Sequence, residues 1–371
     1  MNLQIGIVGL PNVGKSTLFN GLTKNSVPAE NYPFCTINPA IGTVEVKDER
    51  LAKLAEFSKS KKIIPAAVQF VDIAGLVKGA SQGEGMGNEF LTHIRETDAI
   101  AQVVRIFEDE KLIHVENKID PLHDIEIINT ELMLADLATL EKRKNSLVSE
   151  IKKGNPEAVI FVNAIEKIIL AFNQNKLANT VILTEIEKKK IQELHLITMK
   201  PILFVLNKKS DSKNLDELDD IRYRKLLDFF QANNFNYCLV DAKIEDELKD
   251  FTGIEKETMM QEIFGLELKS QNYSGIENLI QEGYKMLGLE TFFTTGEDET
   301  RAWTIQKNST APVAGSAIHN DFKNKFIRAE VISWENLLTS GSYANARSKG
   351  LLRVEGKEYI VQDGDVIEFK I

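Results

Sequence analysis

Apolar residues along the chain follow three different rhythms. From Asn2 to about Leu122, short runs rich in Ile, Val and Phe alternate with helical stretches, the pattern of a parallel α/β sheet. Gln4 to Gly9, Val68 to Asp72 and Ala99 to Arg105 predict buried strands. Pro201 to Asn207 and Asn236 to Val240 resume that character later, so the sheet is expected to be interrupted and then completed. In the interruption, Met133, Leu137, Leu140, Leu147 and Ile151 alternate spacings of four and three, with Lys144 in one core slot. Phe161, Ile165, Ile168 and Phe172 repeat the rhythm after a stop-and-turn signal at Lys153-Gly154-Asn155-Pro156. So narrow a stripe predicts two antiparallel helices forming a short coiled-coil arm, in preference to two amphipathic helices lying on the sheet. From about Glu290 the texture changes again, to short strands and tight turns. Ala302 to Ile305, Arg328 to Ile332, Glu358 to Val361 and Val366 to Phe369 are strand candidates, with a turn at Gln362-Asp363-Gly364-Asp365. They predict a small α+β module with its own core.

Composition narrows the function classes. The 371 residues carry a net charge of -10, which argues against a whole-surface binder of DNA or RNA and leaves room for a local basic patch. Cys35 and Cys238 lie far apart without CxxC spacing, so no disulfide framework or zinc site is expected, and a reducing cytoplasm fits. No apolar run approaches the roughly 18 to 20 residues of a membrane span. Met1 to Gly9 does not read as a cleaved signal.

The chemistry begins at the first strand. Gly9-Leu10-Pro11-Asn12-Val13-Gly14-Lys15-Ser16 fits G-x-x-x-x-G-K-[ST], with Thr17 following and a helix from Ser16 to Thr23. Glycines let the backbone N–H groups of Asn12 to Thr17 wrap phosphates beside the positive end of that helix. Lys15 reaches the β- and γ-phosphates, and the Ser16 hydroxyl is a Mg²⁺ ligand. Asp72-Ile73-Ala74-Gly75 ends a strand, giving an acid that holds Mg²⁺ through water and a glycine N–H at Gly75 for the γ-phosphate. Thr36 lies where a threonine completes the Mg²⁺ shell and acts as a switch. The glycines at 75, 79, 83, 85 and 87 predict a loop that reorders with nucleotide state.

Two departures follow. A guanine site normally carries N-K-x-D after a buried strand, whereas this chain has Asn207-Lys208-Lys209-Ser210, with Asp211 one residue late. Loss of that contact makes ATP plausible beside GTP. Asp241-Ala242-Lys243 stands in the place of the short S-A-K loop that brackets the base. The residue after Gly75 is Leu76, where a water-orienting glutamine would stand. Hydrolysis must then be slow, recruit another side chain such as His114, or use a monovalent cation such as K⁺ beside Asn12. His93, on a predicted helix, is a weaker candidate.

Gly9 to Thr17, Asn31-Tyr32-Pro33-Phe34-Cys35-Thr36, Phe70 to Ala80, Asp124 to Leu132 and Gly356 to Asp365 together resemble the YchF/Obg-like ATPase family. The resemblance covers nearly the whole chain. It implies an α/β P-loop G domain (residues 1–123 and 200–289) interrupted by an α-helical coiled-coil arm (124–199) and followed by a C-terminal β-grasp TGS domain (290–371). It implies ATP hydrolysis, GTP in some members, and association with ribosomes. Carried over by motif, Asn12, Val13, Gly14, Lys15, Ser16 and Thr17 would cradle the phosphates, Ser16 and Thr36 would ligate Mg²⁺, and Asn207 would contact the base edge. The family usually has N-x-x-E where Ser210 stands, and a serine at the place of Asp241.

The expected function is thus an ATP-hydrolysing, ribosome-associated switch, with nucleotide contacts at Lys208 and Ala242 as well. Lys323, Lys325, Arg328, Arg347, Lys349 and Arg353 could meet rRNA or ribosomal proteins, or form a solvated face. The rivals are a GTP-specific ribosome-assembly GTPase and a nucleotide-sensing adaptor of slow turnover.

Overall fold

The computed structural model describes residues 3–23, 40–73, 87–109, 119–210, 212–248, 250–251, 255, 258–259, 261 and 275–371. Among the described residues up to 240, the strands are β1 Gln4–Val8, β2 Ile41–Val46, β3 Lys62–Ile64, β4 Ala66–Asp72, β5 Ala99–Arg105, β6 Phe107–Glu108, β7 Ile202–Asn207, β8 Lys213–Asn214 and β9 Asn236–Val240. Six of them form one sheet in the order β2-β4-β1-β5-β7-β9, with β2 antiparallel to β4 and the other pairs parallel. Every residue of β5 and β7 is buried, as a parallel sheet covered on both faces requires, so these strands read as unbroken apolar runs. Among the described residues, the helices α1 Lys15–Thr23, α2 Glu49–Ser58 and α3 Gly87–Glu96 lie between its first strands.

Between β5 and β7 runs α4 Pro121–Lys152, then α5 Pro156–Phe172 and α6 Glu185–Gln192. Asp120 and Asn155 cap α4 and α5 with proline in the first turn of each, and Gly154 takes φ 79° between them. The predicted stripe is internal: Leu140, Leu147, Phe161, Ile165 and Ile168 are buried. Lys144 leaves its core slot half open and pairs with Glu166 of α5 at 2.8 Å. The arm is less separate than expected, because α4 also packs against β5 and against α7 Ile221–Asn233, where Ile125, Ile128 and Leu132 are buried. Its fully buried Asp136 accepts hydrogen bonds from Ile197 N (3.0 Å), Thr198 N (2.8 Å) and Thr198 Oγ1 (2.7 Å). Lys200 Nζ in turn donates to the carbonyls of Ile94 (2.7 Å), Arg95 (2.8 Å) and Thr97 at the end of α3.

Past the short α8 Ala242–Glu247 and the helix α9 Gly275–Met286, the chain builds a second sheet from β10 Leu289–Thr295, β11 Glu299–Gln306, β12 Arg328–Ser333, β13 Arg353–Glu355 and β14 Asp365–Lys370. Its order is β13-β12-β14-β10-β11-β3, so β3 from the first region adds an edge strand, parallel to β11. The parallel β10–β14 pair among antiparallel neighbours gives the mixed sheet of a β-grasp module. One expectation fails: Glu358 to Val361 is not a strand, since Ile360 makes a single bridge to Thr310 and the strand lies earlier, at Arg353–Glu355. Tyr359 and Val361 are instead occupied by contacts to the 309–311 segment, Ala311 N bonding Tyr359 O and Val361 N bonding Ser309 O.

The second sheet does not keep all of its core to itself. Phe292, Val331 and Ile367 belong to a local cluster, while their neighbours Phe293, Ile332 and Val366 join the main core. Alternation along a strand sends adjacent side chains to opposite faces, and both faces here are covered.

Candidate nucleotide-binding site

The chain leaves β1 at Val8, turns through Gly9 to Gly14 and enters α1 at Lys15. Asn12 takes φ 63° and Gly14 φ 99°, the left-handed region that the tight loop needs. At Gly14 a second demand adds to the first, because a Cβ there would stand 2.2 Å from Asn207 Nδ2. Lys15 lies in the loop's concavity, 9% exposed, with Nζ donating to Leu10 O at 3.0 Å. Burial draws its pKa down, against the field of Asp72. Asp72 ends β4 as the register partner of Ile7, which brings it beside the loop; burial raises its pKa and Lys15 opposes the shift. A buried cation facing an acid at a glycine-turned loop is an arrangement for binding phosphate with a metal ion. The Ser16 side chain is exposed and takes no hydrogen bond from a described residue, and Thr17 is half-buried.

Three segments close the far side of the loop. The Asn207 amide bridges them, Nδ2 donating to Val13 O at 2.8 Å and Oδ1 accepting from Ala242 N at 3.0 Å. Lys208 is buried and bonds Asp216 Oδ2 at 2.6 Å and Glu217 Oε1 at 2.7 Å. Burial would lower its pKa, but these two carboxylates outweigh that and raise it. Ser210 donates to Asp241 Oδ2 through both N and Oγ, each at 2.7 Å. The other Asp241 oxygen caps α8, accepting from Lys243 N and Ile244 N.

The structure therefore brings together Asn12, Val13, Gly14, Lys15, Ser16, Thr17 and Asp72, with Asn207 and Ala242 against the loop's back. It places Lys208 in an ion-pair cluster with the 216–217 turn. Thr36, Gly75, Leu76, His114 and Asp211 lie outside the described residues, as do the glycines at 79, 83 and 85. Gly87 starts α3 and His93 lies within it. The acids that hold Lys208 and Lys209, namely Asp216, Glu217 and Asp109, were not singled out in the sequence. Their spacing from the lysines carries no motif; the fold alone makes them neighbours.

Family profiles match both regions. One described as "50S ribosome-binding GTPase" matches residues 4–131, and YchF-GTPase_C, described as "Protein of unknown function", matches 289–371. "Ribosome-binding ATPase YchF" of Bacillus subtilis (strain 168) is 47% identical over 370 residues, covering 100% of this chain and 99% of the relative. The protein of the same name from Escherichia coli O157:H7 is 44% identical over 370 residues, with 100% and 99% covered. The chain belongs to the YchF family. A solved structure, that of "the Schizosaccharomyces pombe YchF GTPase", superposes with a TM-score of 0.84 at 35% identity, covering 100% of this chain and 98% of that one. This YchF chain thus has the P-loop G-domain fold with a C-terminal module. No helix among the described residues is long and apolar enough to cross a membrane.

In this family member three of the six C-terminal basic residues are ion-paired within the chain. Lys325 pairs with Asp321 at 3.1 Å, Arg347 with Glu330 at 2.7 Å and Arg353 with Asp365 at 3.6 Å.

Proposed function

We propose that the chain is a ribosome-binding ATPase: it binds ATP in the loop from Asn12 to Thr17, hydrolyses it, and works as a nucleotide-dependent switch in translation or the stress response, in the cytoplasm. The observation that carries the reading is Lys15, a buried ammonium at the mouth of a glycine-turned loop and opposite Asp72. The ribosome-binding part rests on the relatives' names.

The residues present fit Mg²⁺, a hard cation that prefers oxygen donors. The exposed Ser16 hydroxyl and the Asp72 carboxylate would hold it, the latter through water, with Thr36 as a further ligand. When bound it would neutralise charge on the phosphates. Lys15 would draw the β- and γ-phosphates into the loop, and the backbone N–H groups of Gly14 to Thr17 would orient them. K⁺ beside Asn12 and an imidazole at His114 are the proposed aids to hydrolysis where Leu76 replaces a glutamine, and Gly75 the γ-phosphate contact.

Replacing Lys15 by Ala should weaken ATP binding at least about tenfold, since a charge-assisted contact is lost, while leaving the thermal unfolding profile intact. ATP turnover is then followed with and without ribosomes and K⁺. Unchanged ATP affinity in the variant would sink the site assignment. Turnover held at background under all conditions, with ribosome binding still nucleotide-dependent, would favour the adaptor reading.

A further inference from the structure

β14 runs on beyond its pairing with β10. The ladder between the two strands holds one register pair, Phe293 with Val366, whereas β14 continues to Lys370. On its other side β14 pairs with β12 along its whole length. Trp334 N bonds Gly364 O at 3.0 Å, which sets the even-numbered residues of β14 toward β12. The C=O of Ile367 and the N–H and C=O of Phe369 therefore turn to the side where the β10 ladder has stopped, and no described strand pairs with them there. An open strand edge is a template for another strand.

A cavity of about 730 Å³ lies along this edge. Both faces of β14 line it, Val366 and Glu368 from one and Ile367 and Phe369 from the other, as at a gap in a sheet. Its charged lining among the described residues is Glu299, Glu330, Glu368 and Arg347. Glu330 and Glu368 stand opposite each other in the β12–β14 register. Like charges so placed are destabilising unless a cation answers both. Arg347 bonds Glu330 at 2.7 Å, while the Glu368 side chain stays 66% exposed, beside Lys370 of its own strand. Glu299 makes no side-chain hydrogen bond or ion pair with a described residue. On the same face of β11 stands Trp303, whose ring already receives Arg301 at 4.0 Å. Carboxylates and an aromatic face attract cations and repel phosphates, which sets nucleic acid aside.

We propose that this gap is a docking site for an extended, lysine- or arginine-bearing segment of a partner protein, which adds a strand to the second sheet along 367–370. The Ile367 carbonyl and the Phe369 main chain bond the added strand. Its alternate side chains carry cations to Glu299 and Trp303 on one face and to Glu330 and Glu368 on the other. A compact cation reaches only one of these faces, whereas a strand lying in the gap delivers side chains to both. Nothing in this depends on nucleotide binding at Lys15.

The test is fluorescence anisotropy on the full chain at physiological ionic strength, with a labelled peptide in which pairs of lysines alternate with valine. The peptide should bind, and mass spectrometry should show slowed amide hydrogen exchange at 367–370. Replacing both acids, Glu299→Gln with Glu368→Gln, should weaken binding about tenfold, the loss of two exposed ion contacts, at an unchanged thermal midpoint. Two versions of the peptide N-methylated at alternate residues, one for each set of N–H groups, keep the charge; one of them should bind at least about fivefold more weakly, because strand pairing is lost. Full affinity in both methylated peptides, or displacement by spermine at equal concentration, would mean bare charge attraction and overturn the proposal. So would an unmoved affinity in the double variant, protection that bypasses 367–370, or a lysine peptide that does not bind.

Discussion

At the residue scale, the phosphate loop is held by demands that single side chains cannot relax. Gly14 sits at φ 99° with Asn207 Nδ2 against the place of its missing Cβ. An L-residue pays about 1–2 kcal/mol for that backbone conformation before any clash is counted. Gly14→Ala should therefore lower stability in urea by at least about 1 kcal/mol and weaken ATP binding, because the side chain must push Asn207 off Val13. Intact stability with unaltered ATP affinity would show that the loop does not need this close approach. The motif made Gly14 and Lys15 visible in the sequence. The role of Asn207 as a brace between Val13 and Ala242 was not visible, because it depends on two segments remote in sequence meeting at one amide.

At the element scale, buried acids and caps fasten the helices to the sheet. Asp136 receives three hydrogen bonds from the 197–198 turn that leads into β7. Removing it by Asp136→Ala strands buried donors and should cost about 3 kcal/mol in chemical denaturation, with hydrogen exchange rising first at the turn. A cost within about 0.5 kcal/mol, the range of an ordinary surface substitution, would contradict this. Asp220 caps α7 and is bonded by Arg222, whose side chain also reaches Glu108. The Arg222 hydrogen bond, working against partial burial, holds the Asp220 carboxyl down at about 2, from the ordinary value of 3.8. A carboxyl whose folded pKa lies below its unfolded one contributes stability above about pH 4, and loses it as the pH falls through about 2. Carbon-detected NMR titration should place Asp220 in that acid range, and Asp220→Asn should raise the midpoint of acid unfolding. An ordinary Asp220 titration would remove the basis for this. None of this was legible beforehand, although the helical rhythm itself was, since spacing reveals a face and not the partner the face meets.

At the scale of the whole molecule, the shortest chain connection between the two sheets is a single residue. β3 is the edge of the second sheet and β4 a strand of the first, with Pro65 alone between them. Since β4 ends at Asp72, the C-terminal module and the proposed metal site share a continuous strand segment. Arg50 of α2 reinforces the junction: it bonds Asp363 Oδ2 at 2.5 Å and lies 5.2 Å from the centre of the Phe293 ring. Asp363 also accepts from Thr291 N at 2.9 Å. Arg50→Ala should cost about 2 kcal/mol by breaking a partly buried ion pair and a cation–π contact, and should split or broaden a single thermal transition. One sharp transition at an unchanged midpoint would mean that the junction holds without it.

Local grammar was enough for the parallel sheet, the inserted helical pair, the phosphate loop and most C-terminal strands. Each depends on periodicity or on a short motif whose chemistry is complete within a few residues. The sequence by itself set the loop spacing from which Lys15 and Ser16 are proposed to meet phosphate, and put Ser210 where a guanine-reading acid is expected. Only the tertiary structure decided what that serine does. Its partner Asp241 is 31 residues away and belongs to another strand end, so its four hydrogen bonds exist only once β7 and β9 lie side by side. The same holds for β3, which has too few residues to announce itself and becomes a strand because β11 offers it an edge.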